Sequence, residues 1–459
     1  MTRIWPGLLL LALLVIYLPD LGHGFIKDDF VWIEQNQARS AGDLLAPFTN
    51  APDFYRPLVA LSFAANWRLF GAEPLGYGLT NLALLLGGAA LLWSLAAALG
   101  LSRGAALACT ALWTLNFHGI SMALLWISGR TSLLATLFSL LAARAFVRGA
   151  GPWAAGWTLL AMLSKEEAVL LPFVLFAWAA LRPGGTDETQ SWRIDLRHAA
   201  QRAWPLFAVL AIYLAARTAA GGMTPASAPE AYQFTRDPLA IGRNLLEYLD
   251  RSATLSAAAV LIMALAAATL PRPTPQQKRL VALGVVWMIG HLGLALLLPI
   301  RSSLYAVGPS AGAALAGAVL LASIWQRATL RGRQRMLGAA VVIVLLTVPV
   351  HWSRNERWVA PADLSAHVLE VIAPVAAAVP PDGAVLLDDD RGARANLDAC
   401  FGTLLANAVR VHTGLDRRVW IEPPVVAWEA GGLAPPAPED VAARFVLRDG
   451  VLVRVPVAP

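Results

Sequence analysis

The sequence predicts an all-α polytopic membrane protein of about eleven transmembrane helices, with a small α/β soluble domain at its C-terminus. Three observations predict it. The 459 residues are 57% hydrophobic and only 14% charged, whereas soluble domains carry about 25% charged residues; mean hydropathy is +0.58. Apolar segments of near-spanning length recur along the first three quarters of the chain. The basic residues between them alternate between crowded and sparse loops, as orientation in a bilayer requires.

The first segment, 5–22, follows Arg3 and resembles a signal peptide. No small-x-small cleavage site follows it, so it is expected to be retained as the first span. The remaining expected spans are 76–98, 104–119, 122–145, 152–165, 167–182, 203–219, 252–270, 280–299, 303–325 and 336–352. The stretch YRPLVALSFAANWRLFG is apolar but interrupted by Asn66, Trp67 and Arg68. That pattern suits a helix lying in the interface better than a span.

With the N-terminus inside, one set of loops carries Arg103, Arg144, Arg148, Arg182, Arg193, Arg197, Arg202, Arg272, Lys278, Arg279, Arg327, Arg331, Arg333 and Arg335. The short loops opposite hold little beyond Lys165 and Arg301. This positive-inside asymmetry puts the 23–75 loop, the 220–251 loop, the turns near 118, 165 and 301, and the tail on the outer side. It also accounts for the net charge of +6 without nucleic acid. A transmembrane domain over 1–353 and an outer domain over 354–459 follow. In the outer domain, AVLLD (384–388), RVWIE (418–422), ARFVLRD (443–449) and VLVRV (451–455) read as strands, and 395–411 as a helix. Asp449-Gly450 between two alternating runs signals a hairpin, and a Pro-rich linker is expected around 434–438. Cys109 and Cys400 lie in different environments, so no disulfide is expected.

Charged motifs that fall on the outer side are the candidates for chemistry. FIKDDFVWIEQN places Asp28 and Asp29 side by side after the first span. Paired carboxylates repel, which raises one pKa and suits a general base; a helix cap is the alternative. In the turn SKEE, Lys165 can neutralise a phosphate and Glu166 can hold it in place; the alternative is a plain polar turn. Arg130 in WISGRTSLLATLF needs a carboxylate or phosphate partner at that depth, unless it snorkels. Arg301 and Tyr305 in PIRSSLYAVGPS are four apart on one helical face, or part of an aromatic belt. Arg56 in FYRPL is a further candidate. His118 has no second ligand at metal spacing, and the acidic run 388–390 reads as a solvated loop. Adjacent carboxylates can coordinate a divalent metal, but nothing else in the chain demands one, and no cofactor is expected.

The motif order also resembles a known group. The acidic pair is followed by YRPLVALSF, GAEPLGYGLTNLALLL, WISGRTSLLATLF, LSKEEAVLLP and RSSLYAVGPS. This is similar to bacterial GT-C-type membrane glycosyltransferases, nearest those related to the transmembrane and tetratricopeptide-repeat O-mannosyltransferases, without the repeats. The resemblance implies an inverting sugar transfer from a polyprenyl-phosphate donor to an acceptor hydroxyl on a protein, glycan or lipid, at the periplasmic face of the bacterial inner membrane. It implies Asp28 and Asp29 as the catalytic pair and Arg130, Lys165, Glu166, Arg301, Tyr305 and Arg56 as donor-phosphate ligands. Relatives carry His and Glu where this chain aligns Ile120 and Met122. A transporter or flippase for a lipid-linked or anionic substrate is the alternative. It would distribute charges through the membrane depth and usually show inverted repeats.

Overall fold

The computed structural model describes residues 4–51, 53–182, 193–224, 227–393, 395–422 and 436–457. The N-terminal helix α1 (Ile4–Tyr17) leads into an outer loop built of α2 (Asp28–Gln35), α3 (Ala41–Thr49) and α4 (Pro57–Phe70). The interface-type helix expected at 56–71 is therefore a helix, α4. A bundle follows: α5 (Pro74–Ala98), α6 (Arg103–Thr114), α7 (Ile120–Leu125), α8 (Arg130–Val147), α9 (Gly151–Met162) and α10 (Leu171–Ala180). A two-residue pairing of β1 (Leu181–Arg182) with β2 (Arg193–Ile194) connects to α11 (Leu196–Ala219). Then come α12 (Pro238–Ala267), α13 (Pro275–Leu292), α14 (Val307–Arg327) and α15 (Leu330–Ala378).

Every one of the eleven apolar segments contains a helix, but among the described residues six helices are long and apolar enough to cross a membrane by themselves. Helix α9 has 12 residues and α10 has 10. At 1.5 Å per residue these cover about half of a 30 Å hydrocarbon core. The turn 163–165 and a 3₁₀ helix, Glu166–Leu170, join them, and Ser164 and Lys165 in the turn are buried.

The expected span 122–145 is interrupted. A 3₁₀ turn at Ile127–Gly129 separates α7 from α8. The break frees backbone carbonyls, which a membrane interior tolerates only if protein satisfies them. The Asn81 amide on α5 does so, donating to Leu124 O at 3.1 Å and Ile127 O at 3.2 Å. Nothing local in 122–145 announces a break that a distant Asn repairs.

Close packing sets the rest of the bundle. Gly284 of α13 and Gly312 of α14 face one another so closely that a Cβ on Gly312 would lie 2.3 Å from Gly284 O. Gly312→Val is expected to cost at least the 1–3 kcal/mol of ordinary overpacking, because backbone atoms block the space. A lower midpoint of thermal aggregation in detergent checks this.

Helix α15 runs unbroken for 49 residues through Pro349, Pro361 and Pro374, so the domain boundary expected at 353/354 falls inside a helix. It delivers a sheet of order β4-β3-β5-β6, with β3 (Ala384–Asp388) parallel to β4 (Arg418–Glu422) and β5 (Val441–Arg448), and β6 (Val451–Val455) antiparallel to β5. Asp449 and Gly450 both have positive φ, 51° and 77°, as a type I′ hairpin turn needs. The helix expected over 395–411 is two helices, α16 (Leu397–Phe401) and α17 (Leu405–Thr413). Gly402, with φ +51°, ends the first of them. The acidic run is not a solvated loop: Asp388 pairs with Arg444 at 2.9 Å, and Asp389 accepts from the N–H groups of Leu397 and Asp398 at the start of α16. The expected Pro-rich linker lies partly outside the described residues.

Candidate active site

Antiparallel helices return the same end of the bundle repeatedly. The start of α5, the end of α6, the start of α8, the end of α9, the end of α11 and the starts of α12 and α14 all share it. The arginine-rich ends lie opposite. The 23–75 loop, the 163–170 turn and the 293–306 connection meet at the shared end, and their charged side chains meet with them.

Asp28 and Asp29 open α2, and adjacency separates their fates. Successive helix residues point about 100° apart, so one faces inward. Asp29 is fully buried. Its Oδ1 accepts from Ser128 N–H at 2.7 Å and from the Ser128 hydroxyl at 2.5 Å, and its Oδ2 from Ile26 N–H at 3.1 Å. Burial pushes its pKa up to about 7, opposed by those donors, while the neighbouring Asp28 charge pushes further up. Asp29 therefore ties the outer loop to the break before α8. Asp28 remains solvent-accessible. Burial nonetheless raises its carboxyl above the ordinary range, opposed by Arg56 and Lys27. Lys27 just before it adopts φ 47°, a sparsely populated region for a side-chain-bearing residue. Its N–H donates to Cys400 O at 2.8 Å, so the C-terminal domain braces the start of α2. Phe30 stacks on Phe401, and Asn407 and Arg410 both donate to Glu34.

Arg56, whose charge acts on Asp28, opens a run of alternating charge. Arg56 grips Glu166 through Nε and Nη2, at 3.0 and 2.8 Å to Oε2, and Arg217 approaches the other oxygen at 3.5 Å. The Arg56 guanidinium also covers the Phe54 ring at 4.1 Å. Lys165 pairs with Glu167 at 2.9 Å and donates to Ser132 Oγ at 2.9 Å. Its ammonium stands 4.5 Å over the Tyr305 ring. Arg301 pairs with Glu247 of α12, which also engages Arg243 and Arg251.

Sequence reasoning about these residues needs three corrections. Glu166 does not hold Lys165; it holds Arg56, and Glu167 holds Lys165. Arg301 and Tyr305 do not share a helical face, because a 3₁₀ turn at Ser303–Ala306 separates Arg301 from α14. Arg130 does not join the group. It is fully buried, donates to Asn81 Oδ1 at 2.9 Å, Tyr77 O at 3.2 Å and Ser62 O at 3.3 Å, and packs over the Phe63 ring at 4.5 Å. Among the described residues its partners are the Asn81 amide, which also repairs the helix break, and two backbone carbonyls. The structure adds Glu167, Arg217 and Glu247. Glu167 belongs to the SKEE turn already singled out in the sequence, and Arg217 stands in the last turn of an apolar helix. Among the described residues no three His, Cys, Asp or Glu side chains group to hold a metal.

No family model matches the chain, and no curated protein matches it. Solved structures do. The crystal structure of ArnT from Cupriavidus metallidurans in the apo state is 14% identical, with a TM-score of 0.54, over 97% of this chain and 93% of that one. The fold is similar to that of ArnT. ArnT bound to undecaprenyl phosphate gives 15% identity and a TM-score of 0.49 over 96% of this chain and 93% of that one. The arabinofuranosyltransferase AftD from mycobacteria gives 16% and 0.46, over 84% of this chain and 29% of that one. The apo ArnT likeness shows a shared fold, and the six long apolar helices support an integral membrane protein.

Proposed function

We propose that the chain is a membrane glycosyltransferase that moves a sugar from a polyprenyl-phosphate donor to an acceptor hydroxyl at the outer face of the membrane. The observation that carries this reading is the accessible Asp28 carboxylate in the field of Arg56, which in turn lies in the field of the Lys165–Glu167 pair, at one end of a bundle folded like ArnT. Asp28 takes the proton of the acceptor hydroxyl as its oxygen attacks the anomeric carbon. The bond from that carbon to the phosphate oxygen breaks, and the lipid phosphate leaves with the electron pair. Attack opposite the leaving group inverts the anomeric centre. Lys165 and Arg301 meet the negative charge that develops on the phosphate; Arg56 shares that task and also tunes Asp28. Asp29 and Arg130 position the loop and the helix break that frame the site.

The charge arrangement makes a signed prediction. Burial raises the Asp28 pKa and Arg56 opposes that rise, so removing Arg56 raises it further. A base works only when ionised. In Arg56→Gln, the acidic limb of kcat/KM against pH is therefore expected to move to higher pH, while Arg56→Lys keeps it near wild type. Transfer of labelled sugar from a synthetic polyprenyl-phosphate donor, followed from pH 5 to 9, measures it; coincident limbs in all three proteins would remove Asp28 from the role of base.

A further inference from the structure

The same end of the bundle holds a second concentration of positive charge that the proposed transfer leaves unused. The turn 116–119 between α6 and α7 is fastened to α12 by the Asn116 amide, which donates to Arg251 O at 3.0 Å and Ser252 O at 3.4 Å. The next residue, Phe117, rests against α15. Its ring lies 6.1 Å from that of His351, and the Arg354 guanidinium covers it at 4.9 Å. His118 packs on the Phe117 ring at 4.7 Å. These contacts bring Arg251, His118, Arg354 and Arg357 into one another's fields, with Asp250 as the acidic group among them. Asp250 accepts from the Thr254 hydroxyl at 2.6 Å, and Arg251 already leans on Glu247 at 3.3 Å. Neither Arg354 nor Arg357 forms an ion pair or hydrogen bond with a described residue.

Such a group costs electrostatic energy unless an anion completes it. Snorkelling arginines would extend separately into water. Here Arg354 is half-buried and held by a ring. Trp352 beside it is exposed, and Trp358 stacks on Trp126 at 5.8 Å with rings nearly parallel. Tryptophans at this level mark a membrane–water boundary, where phosphate groups are abundant. Convergent guanidiniums supply the forked donors that suit a phosphate's several oxygens. We propose that Arg251, Arg354 and Arg357, with His118, bind a phosphate group at the membrane surface, at a site separate from the donor phosphate.

Binding to the purified full chain in neutral detergent tests this independently of any transfer activity, read by equilibrium retention of radiolabelled probe. The probes are phosphatidylglycerol in mixed micelles, diacylglycerol as the phosphate-free control, and inorganic phosphate. The expected result is saturable phosphatidylglycerol binding, absent with diacylglycerol, weakened about tenfold or more in Arg354→Gln/Arg357→Gln and unchanged in Lys165→Gln. Inorganic phosphate binding with the same dependence would identify a free phosphate as the source; binding of the lipid alone would identify a headgroup. Equal binding by wild type and the double variant overturns the site, as does the lack of saturable binding by either probe. Equal weakening in Lys165→Gln overturns its separateness. Should the double variant not fold, the single change at exposed Arg357 carries the comparison.

Discussion

Asp28→Asn is expected to lower sugar transfer by about 10²–10⁴-fold, the range a positioned general base contributes, while the protein folds and melts as wild type does. The side chain is solvent-accessible, and no described side chain depends on it for a hydrogen bond, so the amide replaces it without an orphaned partner. What is lost is the ability to accept a proton. The decisive comparison is kcat at saturating acceptor alongside a melting curve in the same detergent. Wild-type kcat in the variant would exclude Asp28 from the chemistry.

Asp29→Ala is expected to do the opposite, acting through stability. Its carboxylate receives the backbone N–H groups of Ser128 and Ile26, and each buried donor left unpaired costs about 1–3 kcal/mol. The loss detaches the start of α2 from the break before α8, so activity falls as a consequence of misplacement. The pH dependence separates this from the Asp28 effect. The Asp29 pKa is raised to about 7 in the folded protein, above its unfolded value of about 3.9. The stability it contributes through the protonated form is full below the unfolded pKa and is lost as pH rises through about 7. Wild type should therefore lose melting temperature between pH 5 and 8 by an increment that Asp29→Ala lacks. Melting temperatures of the two proteins across that range measure it.

Much of this architecture is legible in the residues. The apolar segments all hold helices, and the alternation of arginine-rich loops anticipates which helix ends gather together. The Asp-Gly hairpin and the apolar run of β3, buried along most of its length, also read directly, since a strand covered on both sides needs no alternation. What escaped reading depends on partners far along the chain. Asn81 satisfies a helix break more than 40 residues away and binds Arg130, which turns an expected ligand into a brace. Helix α15 continues past Arg354, Glu356 and Arg357, where composition suggests a membrane boundary. Glu166 turns to Arg56, and Glu167, for which no partner was expected, takes Lys165; only the turn geometry at Lys165 decides between them. Asp28 and Asp29 are equivalent as a sequence pair; the rotation of one residue on α2 buries one and exposes the other.

The most direct test of the central claim is a structure of the chain bound to a polyprenyl phosphate. The account predicts the phosphate in hydrogen-bond contact with Lys165 and Arg301, with Arg301 drawn from Glu247 and the Asp28 carboxylate open to the space beyond the phosphate. A phosphate bound at the arginine-rich end of the bundle, or one that touches neither Lys165 nor Arg301, would contradict it.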